Sequence, residues 1–279
     1  MSKQPGYIVG ILGLGQMGGS LAMALKSGKP SWTVLGYDIK RSLLEWANKD
    51  GIIDKAADSE ADLIERSQII VLALPINAIL EILERHKHTP STKTLVVDLG
   101  SVRGSIQRVS SRLRMRNHVG IHPICGTALR GRSAWNGKLY KGKSCFVFSN
   151  KSTDNNAVRQ ARKLIRLIGG RPLAIDYRKH DWAFAVTSGL PHILAYSLMK
   201  VRTDSRYIPI EMECPSFAGA TRVAASDPVM AGQVLYHNRD NLLKAFSKLE
   251  KNIMRIKELL SRGDLKKLIL TLESYGRTN

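Results

Sequence analysis

His122 stands beside Pro123 in the octapeptide Gly120-Ile-His-Pro-Ile-Cys-Gly-Thr127, a setting that suits it to take a proton from a substrate. A neutral imidazole accepts a proton near pH 7, and the stiff Pro123 and turn-forming glycine backbone would aim it. A lone histidine more often closes a strand-end hydrogen bond, so the reading depends on what surrounds it. Cys125 is a nucleophile by type, but between Ile124 and Gly126 it reads as a small packed residue.

The surroundings begin near the N-terminus. The apolar run Tyr7 to Leu12 enters Gly13-Leu14-Gly15-Gln16-Met17-Gly18, a GxGxxG loop after a strand and before a helical stretch that ends near Gly28. Gly13 would make the tight turn, Gly15 would let backbone approach a pyrophosphate, and Gly18 would let helix pack on strand. The helix N-terminus would hold the phosphates. Such a loop alone is weak, and an acidic residue closing the next strand is the check. Asp38 supplies it at the end of Trp32 to Tyr37, at about the twenty-residue offset expected for a carboxylate on the adenosine ribose. That favours NAD over NADP, since Asp38 would repel a 2′-phosphate before Lys40 and Arg41 could meet it.

Two further apolar runs, Gln68 to Leu74 ending in Pro75 and Thr94 to Leu99 ending in Gly100-Ser101, are bounded by breakers. Helical spacing lies between them, in Ala78 to Leu83 and Val102 to Leu113, so strand and helix alternate as in a parallel sheet covered on both faces. Ligands bind such sheets at the carboxyl ends of the strands. Leu74, Pro75, Ser101 and His122 all fall there. Ser101 is also expected as the N-cap of the helix beginning at Val102. A helix from Asn155 to Ile168 and a last strand from Arg171 to Ile175 complete this half, and after Tyr177 the pattern turns helical in His180 to Val201, Val229 to Leu260 and Leu265 to Ser274. The expected fold is α/β: a Rossmann-type parallel-sheet dinucleotide-binding domain over 1–176, followed by an all-helical substrate and dimerisation domain over 177–279.

The 279 residues supply ample material for a core, with 43% hydrophobic and 24% charged residues. No apolar run is long enough to span a membrane and the first residues lack a signal-peptide core, so a cytoplasmic enzyme is expected. Three scattered cysteines without a CxxC argue against a disulfide framework and a zinc site, and no metal is expected. The formal net charge of +20 asks for an anionic ligand. Arg108, Arg112 and Arg116 recur at helical spacing, but the chain has no basic tail, no nucleic-acid motif and no aromatic interleaving, so a small anionic substrate is expected rather than nucleic acid.

In the helical part three patches stand out: His180-Asp181, Ser188-Gly-Leu-Pro-His192 and Thr221-Arg-Val-Ala-Ala-Ser-Asp-Pro228. With the glycine loop, Gly51-Ile-Ile-Asp54, Asp98-Leu-Gly-Ser-Val102 and the His122 octapeptide, in this order and spacing, the chain resembles the prephenate dehydrogenase family, which includes arogenate dehydrogenases of tyrosine biosynthesis. The resemblance implies that His122 is the catalytic histidine on the substrate's ring hydroxyl and that Ser101 lies beside that hydroxyl. It implies that Arg222 binds a substrate carboxylate, to which a planar guanidinium is suited, and that His192, Ser188 and Thr127 lie near the substrate. It further implies NAD as cofactor, a homodimer formed through the helical domain, and oxidation of prephenate at ring C4 with loss of CO2.

The sequence departs from the family pattern in three places: Ala128 stands where many members have Glu, Gly189 replaces the first histidine of Ser-His-Leu-Pro-His, and Ala218 stands where a cation often occurs. Arg130 and Arg132 are nearby cations that could compensate. The alternatives are an arogenate dehydrogenase, another Rossmann-plus-helical oxidoreductase of the β-hydroxyacid type, and a catalytically silent NAD-binding homologue. Asp181 and Asp227 are the acidic residues in these motifs that could pair with arogenate's ammonium. Neither a regulatory domain after the helical part nor a mutase segment before the loop is expected, so inhibition by tyrosine, if present, would have to act at the active site.

Overall fold

The computed structural model describes residues 6–28, 31–87, 94–127, 131–205, 208–209, 212 and 214–276. The chain forms two compact units, Met1–Asp181 with Ala225–His237, and Trp182–Ala224 with Asn238–Asn279.

In the first unit, strand and helix alternate as β1 (Ile8–Leu12), α1 (Gln16–Gly28), β2 (Thr33–Tyr37), α2 (Arg41–Lys49), β3 (Lys55–Ala56), α3 (Glu60–Arg66), β4 (Ile69–Leu72), α4 (Ile76–Arg85), β5 (Leu95–Asp98), α5 (Gly104–Arg112), β6 (His118–Pro123), β7 (Ser144–Phe148), α6 (Asn155–Leu167) and β8 (Arg171–Ala174). The described strands form one eight-stranded sheet in the order β3-β2-β1-β4-β5-β6-β7-β8. Every residue of β4 and of β5 is buried, as continuous apolar runs covered on both faces require. The order turns back on itself between β1 and β4, the switch point at which such sheets open a crevice. The core joins Val9, Ile11, Val71, Val97 and Val119 from the strands to Leu21 and Leu25 of α1 and Leu164 and Ile165 of α6.

The expected parallel sheet is present, with one antiparallel pair toward its edge. β7 runs antiparallel to β6, with His122 opposite Phe146, and β8 runs parallel to β7. Among the described residues of the excursion over 124–143 the helical element is the single 3-10 turn Gly131–Ala134, too short for the crossover that a parallel pair needs.

The helical part begins with α7 (Tyr177–Phe184), a π-helical turn (Ala185–Gly189) and α8 (Leu190–Asp204), where the sequence suggested one helix. Pro191 accounts for the break in register: it has no N–H to give to the preceding turn, and the Leu190 N–H reaches back to the Ala185 carbonyl. α9 (Pro215–Thr221), α10 (Pro228–His237), α11 (Arg239–Ser261) and α12 (Leu265–Gly276) follow. The stretch expected as one helix from Val229 to Leu260 is broken at Asn238, whose φ of −111° and ψ of 14° lie outside the helical region. α10 belongs to the first unit, where its Gln233 side chain accepts the Asn77 N–H at 3.1 Å and His237 lies 2.7 Å from Asn77 Oδ1 on α4. No described helix is long and apolar enough to cross a membrane.

Candidate active site

Strand register brings the first unit's candidate residues to one sheet edge. Leu12 lies opposite Tyr37 and Leu72, Leu72 opposite Asp98, and Asp98 opposite Gly120. The glycine loop, Asp38, Leu74, Pro75 and Ser101 therefore follow directly from neighbouring strand ends, and His122 lies two residues past Gly120 on the same edge.

The three loop glycines differ in what requires them. Gly13 has φ +90°, which favours glycine, and a Cβ there would overlap the Ala73 carbonyl oxygen. A Cβ on Gly18 would overlap the carbonyl of Gly13. Gly15 has neither constraint, since a Cβ there would meet no atom of the described residues within 4 Å. None of the described neighbours calls for glycine at position 15, and its bare backbone is open to close approach by a ligand. With the N–H groups of α1's first turn alongside, the loop fits a pyrophosphate. Asp38 ties the second strand to this loop: Leu14 N–H donates to Oδ2 at 2.7 Å and Lys40 N–H to Oδ1 at 2.8 Å.

The loop is also tied to the segment after His122. Thr127 N–H donates to Gln16 Oε1 at 2.8 Å, and the Gln16 amide donates back to the Thr127 hydroxyl. Further along the same excursion, the Trp135 indole donates to the Leu14 carbonyl at 2.8 Å and the Tyr140 hydroxyl to the Met17 carbonyl at 2.7 Å. Residues 13–18 are thus held by the chain that carries His122.

One face of β6 is a polar ladder. Successive side chains alternate across a strand, so His118, position 120 and His122 look the same way. His118 is buried between Asp98, 2.9 Å from Nε2, and the Ser110 hydroxyl, 2.9 Å from Nδ1. Gly120 leaves the space into which Arg103 fits: a Cβ there would overlap the guanidinium. Arg103 is fully buried, donates from Nη2 to Asp98 Oδ2 at 2.8 Å, and lies 5.0 Å over the Phe148 ring. Burial pushes the Asp98 carboxyl up, but Arg103 and then His118 outweigh it and hold the group well below the usual carboxylate range.

His122 ends the ladder. Its Nδ1 lies 2.9 Å from His180 Nε2, and His180 Nδ1 lies 2.9 Å from Asp181 Oδ1. Asp181 in turn accepts the Arg103 N–H at 3.0 Å and the Gly104 N–H at 2.7 Å, at the start of α5. Burial first, then His180 and Arg103, lowers the His122 pKa well below the ordinary histidine value, so the ring is neutral near pH 7. A neutral, buried imidazole at the carboxyl edge of a nucleotide-binding sheet can accept a proton from a bound hydroxyl. Burial pushes the Cys125 thiol up to about 12, which leaves it protonated and consistent with a packing residue.

Several expectations are corrected. Ser101 does not cap α5: the N-cap is Arg103, and the carboxylate at the helix start comes from Asp181, far along the chain. Asp181 is accordingly engaged and does not offer itself to an ammonium. Asp227 accepts the Val229 N–H at 2.8 Å and so caps the start of α10. Arg132 pairs with Asp50 at 2.8 Å and lies 5.7 Å over Trp46, so it does not replace a substrate-binding cation. Ala128 and Arg130 fall outside the described residues. Arg108 and Arg112 lie on α5, but Arg116 lies beyond it and pairs with Asp154 at 2.8 Å, so the three form no helical stripe.

His192, Ser188 and Arg222 belong to the second unit. His192 Nδ1 lies 2.9 Å from the Ser188 carbonyl one turn earlier, and Arg222 is exposed at the end of α9. Gly189 packs against Leu242: a Cβ there would overlap the end of the Leu242 side chain, which would have to turn aside. Sequence reasoning missed the Asp98–Arg103–His118 cluster. Its one signal was a charged residue closing the apolar run Leu95 to Asp98, which a fully covered strand tolerates only with a buried partner.

Family models described as the nucleotide-binding domain and the dimerization domain of prephenate dehydrogenase match residues 21–173 and 176–274. The first match starts after the glycine loop, which stands on its own geometry. The chain is 28% identical over 264 residues to a prephenate dehydrogenase of Bacillus subtilis, covering 92% of this chain and 71% of that one. It is 26% identical over 262 residues to a cyclohexadienyl dehydrogenase of Zymomonas mobilis, covering 92% and 89%. Among solved structures it is similar to prephenate dehydrogenase from A. aeolicus in complex with hydroxyphenyl propionate and NAD+, at 29% identity and a TM-score of 0.88 over 99% of this chain and 96% of that one.

Proposed function

This chain belongs to the prephenate dehydrogenase family and is an NAD-dependent oxidoreductase, and from that premise we propose that it converts prephenate to 4-hydroxyphenylpyruvate and CO2. The observation that carries the reading is the neutral His122 on the same sheet edge as the bare backbone of Gly15. Residues 13–18 would hold NAD, which would supply the acceptor for the hydride lost from ring C4. His122 takes the hydroxyl proton, so that C4 becomes a carbonyl as its hydrogen leaves. The bond from ring C1 to its carboxylate then breaks, its electrons make the ring aromatic, and the proton held by His122 returns to the phenolate oxygen. The chain's remaining task is to fix C4 and the anion in place.

Ser101, one strand over from His122, is read as a second hydrogen-bonding group at the hydroxyl. Leu14, Gln16 and Met17, with the three loop glycines, Asp38, Leu74 and Pro75, form the cofactor side. For Arg222 as carboxylate ligand, and for His192, Ser188 and Thr127 as neighbours of the substrate, the support is the family motif in which each stands. The helical part is read as a homodimer interface, supported by exposed apolar side chains on α11 and α12, among them Leu243, Met254, Leu265 and Leu270.

Prephenate is preferred over arogenate on charge. Arogenate's ammonium needs a carboxylate, because an unpaired cation in a closed site is costly. Asp181 and Asp227 are the acidic residues of the substrate motifs, and both are engaged with backbone N–H groups. The test is NADH absorbance with purified protein and each substrate: kcat/KM is expected to favour prephenate, and a ratio favouring arogenate overturns the assignment.

A further inference from the structure

His180 and Asp181 are buried, lie outside the roles carried over from the family, and stand in line behind His122. The chain of donors can be read from its far end. Asp181 Oδ1 accepts the Arg103 N–H at 3.0 Å, and Oδ2 accepts the Gly104 N–H at 2.7 Å and the Arg103 N–H at 3.1 Å. Both oxygens therefore face backbone donors, which a carboxylate satisfies and a protonated carboxyl does not. A carboxylate can only accept, so His180 must donate from Nδ1. With its one ring proton on Nδ1, His180 presents a lone pair at Nε2, and the 2.9 Å contact is then completed by His122 donating from Nδ1. The lone pair of His122 is left on Nε2.

The His180 ring has little freedom to turn. Phe148 and Phe146 meet it edge-on with centroids 4.9 and 5.6 Å away, and Phe148 is itself covered by Arg103. The opposite tautomer of His122 would set two lone pairs against each other across a dry contact.

We propose that His180 and Asp181 are positioning residues that hold His122 as its Nδ1–H tautomer and so make Nε2 the atom that accepts the substrate's proton. When Nε2 takes that proton, the Nδ1–H stays on His180, and the Asp181 carboxylate at the end of the line stabilises the resulting imidazolium. The N-terminus of α5 thereby acts on the reacting atom through two side chains. The inference rests on the proposed role of His122, but the tautomer can be observed without turnover.

Long-range 1H–15N correlation spectra of the 15N-labelled protein, with the His122 signals assigned by their loss in His122→Asn, are expected to show the proton on Nδ1 at neutral pH. His180→Leu removes the acceptor and should release that preference while lowering kcat by about 10²-fold, with the KM for NAD unchanged. His180→Gln offers an amide oxygen to the Nδ1–H and should recover kcat to within about tenfold of the parent, as no rescue by a merely space-filling residue would. Finding His122 as the Nε2–H tautomer in the parent overturns the proposal, as does equal loss in the Leu and Gln variants. Should His180→Leu not fold, the parent spectrum and the Gln variant decide. A reversed substrate preference leaves the tautomer result standing.

Discussion

The Gln16 side chain and Thr127 are joined by two hydrogen bonds, one to backbone and one to hydroxyl, so that the cofactor loop and the segment after His122 are held as one piece. Gln16→Leu keeps the helix and breaks both bonds. Its expected effect is on the coupling between ligands: NAD binding measured alone should change little, whereas the tightening of NAD binding by a substrate analogue should fall severalfold. Titration calorimetry with and without the analogue separates the two, and an unchanged coupling factor shows that the latch is only local packing.

His122→Asn is expected to keep NAD affinity and lower kcat by about 10²-fold or more. The pH dependence has a definite sign. The folded-state pKa of His122 lies below the ordinary 6.5, chiefly because of burial. Below about 6.5 the unfolded chain takes up a proton that the folded chain refuses, so stability decreases as pH falls through that window and down to the folded pKa. The Asn variant lacks this dependence. The base remains competent through the same window, so the acid limb of kcat/KM should fall below pH 6.5. A limb at or above that value would mean that another group controls the rate.

Gly120→Ala places a methyl group where the Arg103 guanidinium lies. Moving Arg103 leaves the Asp98 carboxylate without its main partner, and breaking a buried pair costs about 3–5 kcal/mol. Urea denaturation at pH 7 should report most of that loss, and parent-like stability would show that Arg103 can move without penalty. Asp98, whose folded pKa is depressed, contributes stability above its ordinary value of 3.8, and this is lost as pH falls through the folded value. Asp98→Asn should therefore flatten the acid side of the stability curve.

The alternation of apolar runs with glycine and proline breakers gave away the sheet, and the loop from Gly13 to Gly18 gave away the crevice, because both are set by local backbone rules. What escaped was long-range. No pattern near Ser101 shows that the start of α5 is satisfied by Asp181, and nothing around Asn238 resembles a helix breaker. His180-Asp181 was visible as a polar pair in an amphipathic stretch, but its meaning depends on which strand it packs against. The antiparallel β7 was hidden for a similar reason: Ser144 to Phe148 is a short apolar run whose direction is decided by the path of the excursion before it.

The first unit is assembled from two stretches of chain, with α10 returning to α4 after the chain has left at Asp181. On the ribosome, this nucleotide-binding unit cannot be finished when its last strand emerges. The Asn77 contacts wait until Gln233 and His237 have been synthesised and have cleared the exit tunnel. A nascent chain stalled just past Asp181 would carry the glycine loop and the His122 ladder while leaving Asn77 on α4 without these contacts.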